Sequence, residues 1–410
     1  MRTAACRFCR QPLTHLVVDL GMSPLANSYL TADQLGEMER FYPLRVLVCD
    51  ACWLVQLEEF ATPGEIFGDY AYFSSYSRSW LEHARAYVDQ AVERLGLGTG
   101  SQVIEIASND GYLLQYVVAR GIPALGIEPA ANVARAAVDR GVPTRVAFFD
   151  VDMAARLVDE GLTADLVVGN NVFAHVPDLN RFAAGFKVVL KPRGVLTLEF
   201  PHLLRLLAES QFDTIYHEHF SYYSLRTAAA VLAAHGLEVF DVEELPTHGG
   251  SLRVWARHAE DDTRPRTARV DALIARERDA GLFDLATYAA FGEQVREVKR
   301  GLLEFLITAR RDGKSIVGYG AAAKGNTLLN YCGIRTDFLD YTVDRSPAKQ
   351  GKYLPGTHVP ILAPERIHET RPDYVLILPW NLTTEITESM ASIRDWGGRF
   401  VVPIPAVKVL

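Results

Sequence analysis

Tyr216, His217, Glu218 and His219 stand in a row near the middle of the chain. Phe212 and Ile215 precede them, and Phe220, Tyr222 and Tyr223 follow. Apolar surroundings move the acidities of proton-handling groups, and a base that works near neutral pH needs that tuning. The spacing is not that of a zinc protease, which sets two histidines one helical turn apart around a glutamate. His217 and His219 are two apart, so they share a face on a strand and not on a helix. Taken alone, the cluster is equally a polar loop anchored by aromatic rings. The elements around it have to decide.

Four of the five cysteines form two Cys-x-x-Cys pairs, Cys6 with Cys9 and Cys49 with Cys52, while Cys332 stands alone. Each pair can sit on a tight turn and offer two thiolates to one tetrahedral metal, which points to zinc. Four protein ligands close such a site, so this zinc is expected to be structural, supporting a segment too short for a large core. The stretch from Tyr70 to Ser77, with Tyr72 and Ser75, is rich in aromatic and hydroxyl groups. These can bind sugar hydroxyls or phosphate, and a linker packed by its rings is as good a reading.

From Ser101 the pattern predicts a short apolar strand, a turn of small polar residues and an amphipathic helix. A second strand, 124–127, ends in Glu128, where a carboxylate can hold ribose hydroxyls in a doubly wound sheet. A third, beginning at Ala164, ends in Asn170 and Asn171; ligands of such sheets bind outside the carboxyl ends of the strands. The first turn lacks the Gly-x-Gly-x-x-Gly of dinucleotide folds. It opens on Glu105, which would repel a pyrophosphate and can pair with a cationic amino-acid group. The run Glu105, Ser108, Asn109, Asp110, Gly111 resembles motif I of class I S-adenosylmethionine methyltransferases, with Ala107 and Asn109 at two of its three glycine positions. An ordinary strand–turn–helix is the alternative.

Taken in order, the four cysteines, Tyr70 to Ser77, Glu105 to Gly111, Asn170 to His175, Tyr216 to His219 and His248 to Arg253 resemble the deoxysugar C-methyltransferases of antibiotic biosynthesis. The resemblance spans essentially the whole chain. It implies an α/β protein of three parts: a zinc-binding domain (1–75), a class I methyltransferase domain with a Rossmann-like fold (76–260) and a C-terminal Rossmann-like domain (261–410) that helps hold a nucleotide-sugar. It also implies S-adenosylmethionine as methyl donor and a nucleotide-linked 4-keto-deoxysugar, carried on dTDP, as substrate, methylated at carbon 3 or, in some relatives, carbon 5. The family's catalytic histidine corresponds to His219, and its neighbouring functional residues to Glu218, Tyr216, His175 and Tyr70. The chemistry fits these residue types. A hydrogen beside a ketone is weakly acidic; an imidazole can remove it while nearby donors hold the enolate oxygen. His217 reads as structural, and His175, after a buried strand, has a structural reading too.

Further along, Arg264-Pro265-Arg266 marks a linker, and helices are predicted over 268–278 and 288–310. Gly318-Tyr-Gly320-Ala-Ala-Ala-Lys324-Gly325 reads as a glycine turn opening a helix, able to cradle phosphate with help from Lys324. Its spacing is not the dinucleotide fingerprint, although Asp344 follows a second strand. His248 and Lys352 are further candidate substrate contacts, with a glycine turn and a solvated charge as the plain readings. The 410 residues are 49% hydrophobic and 22% charged with a net charge of −8, which argues against a general nucleic-acid binder. No apolar run approaches the ~18 residues of a membrane helix, and no apolar leader opens the chain, so a cytoplasmic enzyme is expected. O- or N-methylation of a nucleotide-sugar and NAD-dependent sugar oxidation are the competing functions.

Overall fold

The computed structural model describes residues 4–62, 64 and 73–410. Tyr70 and Tyr72 lie outside the described residues. The first part is an antiparallel sheet of β1 (His15–Ser23), β2 (Tyr42–Val48) and β3 (Val55–Leu57). Both cysteine pairs occupy the same kind of turn. The residue after the second cysteine is left-handed, Arg10 at φ 66° and Trp53 at φ 64°, and its amide donates to the carbonyl of the first cysteine. The second of these turns is the connection from β2 to β3, so the sheet itself carries half of the metal site.

A seven-stranded sheet follows. Its strands in chain order are β4 (Val103–Ile106), β5 (Ala124–Glu128), β6 (Thr144–Val146), β7 (Ala164–Asn170) and β8 (Leu190–Pro201), then β10 (Leu237–Leu245) and β11 (Ser251–His258) after β9 (Ser221–Tyr222) has left to pair with β3. The order is β10-β11-β8-β7-β4-β5-β6, parallel except at β11. This is the doubly wound arrangement expected of a class I methyltransferase. β4 and β7 are buried almost throughout because helices cover both faces. The strand order reverses between β4 and β7, and a crevice opens there beyond their carboxyl ends.

The third part is a six-stranded sheet, β14-β13-β12-β15-β16-β17, formed by β12 (Ile316–Tyr319), β13 (Thr342–Val343), β14 (Ile361–Leu362), β15 (Tyr374–Ile377), β16 (Arg399–Val402) and β17 (Lys408–Val409). It is parallel but for the last strand. Two helices, Ala268–Asp279 and Leu285–Arg311, lead into it. The longer one buries Phe291, Val295 and Leu302 in a core shared with Val17, Leu44 and Val55 of the first sheet. Phe212 and Ile215 sit in that same core, so the chain just before Tyr216 is clamped between the first and third parts.

Candidate active site

Tyr216 to His219 form neither strand nor helix. They make a turn closed by the His219 amide donating to the Tyr216 carbonyl at 2.9 Å, between the helical turn Phe212–Thr214 and β9. The turn sends its two histidines to different places. The His217 ring meets Tyr42 edge-on and donates from Nε2 to the Pro43 carbonyl at 3.1 Å, against β2. His219 faces a cavity of about 670 Å³.

His219 Nδ1 lies 2.8 Å from the Thr214 carbonyl. A carbonyl only accepts, so Nδ1 carries the proton and Nε2 is the basic nitrogen. Enclosure by protein holds this imidazole well below its ordinary value of 6.5, and the neighbouring His175 adds to the effect. His175, on the helical turn Phe173–His175 after β7, meets His219 edge-on with ring centroids 4.7 Å apart; desolvation pushes it down to about 4. The Tyr216 ring lies 4.0 Å from His219. Glu218 is 4% exposed, and its Oε1 accepts a hydrogen bond of 2.6 Å from Asn27 Nδ2.

The cofactor turn keeps its shape without the usual glycines. Ala107 and Asn109 take φ of 57° and 49°, the left-handed region in which glycine is the easy choice. Contacts hold them there. The Ala107 amide donates to Ile127, the Asn109 amide donates to Glu128, and the Asn109 side-chain oxygen accepts from Ser74. Glu128 also accepts the Ala130 amide at 2.8 Å, and burial moves its carboxyl upward. Gly111, at φ 77°, lies where a Cβ would meet Val142 at 3.0 Å.

The structure gathers Asn109, Glu128, Asn170 and Asn171 on one wall of the cavity, and His175, Tyr216, Glu218, His219, His248 and Lys324 on the others. The remaining proposed positions lie behind these walls. Glu105 is fully buried in β4 and pushed well above the usual carboxylate range by desolvation. Ser108 packs against Gly126. Asp110 is buried in an ion pair of 2.7 Å with Arg140 and accepts the Ser75 hydroxyl, so Ser75 fastens the segment before the helix Arg78–Leu95 to the cofactor turn. Arg253 pairs with the buried Glu199 at 2.7 Å. Lys352 is not on the cavity wall, whereas Lys349 is.

Lys324 begins the helix Ala323–Cys332, bonds to Asn381 at 2.8 Å and lies 4.6 Å over the Trp380 ring; burial moves its pKa down. Behind it Asp213 accepts from Trp380 Nε1 at 2.7 Å and is raised to about 6 by desolvation, which Lys324 opposes. Asp344 accepts the Ala321 amide at 2.7 Å and pairs with Lys349 at 3.5 Å. The carboxylate that would hold a dinucleotide ribose is therefore engaged within the domain. Asn27, Ser74, Trp80, Lys349 and Asn381 also line the cavity. Ser74 belongs to the aromatic and hydroxyl stretch Tyr70 to Ser77, and no motif marks the others, because single polar or aromatic residues in connecting segments have no period to read.

Both implied groups fit the residues present. The two amide atoms of Asn170, at the carboxyl end of β7, are buried without a partner on the cavity wall. They offer a donor and an acceptor on the same cavity as the Glu128 carboxylate, two strands away, as a ligand with amino-acid and ribose groups requires. The sulfurs of Cys6, Cys9, Cys49 and Cys52 all lie within 4.8 Å of one another, with Cys6–Cys52 at 3.6 Å and Cys9–Cys49 at 3.4 Å. A tetrahedron with zinc–sulfur bonds of about 2.3 Å has edges of roughly 3.8 Å.

Residues 6–67 match the family described as "Putative zinc binding domain", residues 80–242 the "Methyltransferase domain" and residues 246–405 the "C-methyltransferase C-terminal domain". The chain is 39% identical over 405 residues to C-methyltransferase NovU of Streptomyces niveus, covering 99% of this chain and 96% of that protein. Among solved structures, magnesium protoporphyrin IX methyltransferase (ChlM) from Synechocystis PCC 6803 with bound SAH matches 43% of this chain and 82% of its own, at 15% identity and a TM-score of 0.35. An S-adenosylmethionine-dependent methyltransferase from Clostridium acetobutylicum matches 43% of this chain and 92% of its own, at 10% identity and a TM-score of 0.35. The protein is a methyltransferase with S-adenosylmethionine as its methyl donor and a four-cysteine zinc site. With domain matches along its length and a relative that aligns nearly end to end, the chain belongs to the family of S-adenosylmethionine-dependent C-methyltransferases that its ordered motifs resemble.

Proposed function

We propose that the protein methylates carbon 3 of a dTDP-linked 4-keto-deoxysugar. The observation that carries this reading is the Thr214 carbonyl on His219 Nδ1, which leaves Nε2 as a base facing the cavity that the cofactor turn and Lys324 also line. Nε2 takes the proton from the carbon beside the ketone, and the C–H electron pair moves into an enolate with its charge on the ketone oxygen. Tyr216 and His175 donate hydrogen bonds to that oxygen; His175 can do so as a neutral imidazole because its pKa is held down to about 4. Tyr70 joins them by the resemblance. Bound S-adenosylmethionine supplies an electrophilic methyl group, which bonds to the enolate carbon as the sulfur keeps the electron pair and leaves as S-adenosylhomocysteine. His219 then releases its proton to solvent.

Glu128, Asn109, Asn170 and Asn171 are the proposed cofactor contacts, supported from behind by Glu105, Ser108, Asp110 and Gly111. His248 and Lys324 are the proposed substrate contacts, with Lys349 added as a second cation for the diphosphate. The division into parts at 1–75, 76–260 and 261–410 belongs to this proposal. A four-thiolate zinc site suits a reducing compartment, and the proposal places the enzyme in the cytoplasm.

The test is hydrogen exchange. Incubated in deuterated water with S-adenosylhomocysteine and a dTDP-4-keto-deoxysugar, the enzyme should wash out the hydrogen at carbon 3, as read by NMR, and His219→Ala should not. An enzyme that methylates the sugar without any such exchange would instead be an O- or N-methyltransferase of the nucleotide-sugar.

A further inference from the structure

Asn27, on the cavity wall, comes from the zinc-bearing part of the chain. Asn27 sits on a turn after β1 and donates from Nδ2 to Glu218 Oε1 at 2.6 Å. The turn is pinned from the third part, where Asn326 Nδ2 donates to the Ala26 carbonyl at 2.5 Å. The Asn27 side-chain oxygen lies 3.1 Å from the Tyr29 hydroxyl, and that hydroxyl lies 2.5 Å from the Ala321 carbonyl in the glycine turn of the C-terminal part. Lys349 donates to the same carbonyl at 2.9 Å. Glu218, Asn27, Tyr29, Ala321 and Lys349 therefore stand in succession across all three parts, with the single Tyr29 hydroxyl proton available to Asn27 or to Ala321.

We propose that Asn27 is a positioning residue for Glu218: it fixes one carboxylate oxygen from the zinc-bearing part, so that the turn carrying His219 presents a Glu218 of defined orientation and charge to the substrate. The proposal rests on the reading that Glu218 acts on the substrate in this site. A carboxylate this buried needs donors to remain ionised, and an amide supplies one at any pH. An ionised carboxylate only accepts, so the amide turns its NH2 toward Glu218. The titratable groups on the surrounding walls include Tyr216, His175, His219 and His248 from the methyltransferase part and Lys324 and Lys349 from the third, and Tyr29 stands beside Asn27.

Two replacements separate positioning from folding. Asn27→Ala removes the donor and should lower kcat roughly ten- to a hundred-fold, the range for a lost hydrogen bond to a charged group. Zinc content and the Kd for S-adenosylhomocysteine should stay at wild-type values. Asn27→Asp keeps the size but sets a second carboxylate against Glu218. While the pair shares one proton, the new carboxyl can donate to Glu218 in place of the amide, so this variant should lose activity as pH rises and two carboxylates are left facing each other without a donor; Asn27→Ala should show no such pH-dependent loss. Glu218→Gln completes the set. If it keeps wild-type activity, the reading of Glu218 is wrong and the proposal falls with it. If Glu218→Gln is impaired while both Asn27 variants match wild type in kcat and pH profile, the positioning role is refuted and Glu218 stands. Should Asn27→Ala lose zinc or cofactor binding, Asn27→Asp decides alone: a loss of kcat that pH does not relieve would make Asn27 merely structural.

Discussion

Three imidazoles line the cavity in the neutral state, and that has a cost in acid. His175 and His248 are pushed to about 4 and His219 well below 6.5, all chiefly by desolvation. In the unfolded chain each returns to about 6.5. Between those values the unfolded chain binds protons that the folded one does not, so stability is full above about pH 6.5 and declines as pH falls toward 4. Asp213, raised to about 6 from 3.8, and the buried Glu105 and Glu128, also raised, work the other way, so the share of a single ring is the testable quantity. His248→Gln should gain melting temperature at pH 5 relative to pH 7.5 when compared with the unaltered ligand-free protein. An unchanged difference between the two pH values in that variant would show that this ring is hydrated enough to titrate normally. Which histidine faces the cavity was not readable from spacing. The alternation rule for strands and the period of helices both fail on a turn, and it is the turn that sends His217 to Pro43 and His219 to the cavity.

At the level of elements, the turn depends on what precedes it. Thr214 supplies the carbonyl that sets the His219 tautomer, and Ile215 is held by the helix Ala323–Cys332 of the third part, whose Thr327 hydroxyl donates to the Ile215 carbonyl at 2.9 Å within the core. Thr327→Val keeps the shape and leaves that buried carbonyl without its donor, a loss of about 1–3 kcal/mol. The expected outcome is a lower melting temperature together with slower carbon-3 hydrogen exchange, since the register of Thr214 against His219 loosens. Unchanged exchange in a destabilised protein would show that the turn is held by its own contacts. The cofactor strands were legible in the sequence because apolar runs ending in polar residues follow from burial on both faces. The backbone of the cofactor turn was not: Ala107 and Asn109 are left-handed through bonds to Ile127, Glu128 and Ser74, all distant in sequence.

At the scale of the whole molecule, the zinc site and the proposed base are joined by a short path. Cys52 ends the second knuckle, β3 begins at Val55, and β3 pairs with β9, which begins two residues after His219. Gln56 of β3 donates to Cys6 Sγ at 3.2 Å and accepts from the Arg7 amide, while the Arg7 guanidinium donates to the carbonyls of Leu57 and Pro177. Asn27 reaches Glu218 from the same part. None of this was visible in the cysteine spacing, which announces a metal but not what the metal-bound sheet touches. The cofactor wall is separate: Asn109, Glu128 and Asn170 lie at the ends of strands in the second sheet. Removing zinc should thus release the first sheet, the pairing of β3 with β9 and the hold on Glu218 before it disturbs cofactor binding. Treatment with a strong chelator should abolish methyl transfer and carbon-3 exchange while calorimetry still detects S-adenosylhomocysteine, and added zinc should restore both activities. If cofactor binding disappears in step with zinc, the first part supports the whole fold rather than the turn; if turnover survives metal loss, the path from Cys52 to His219 carries no strain that the active site feels.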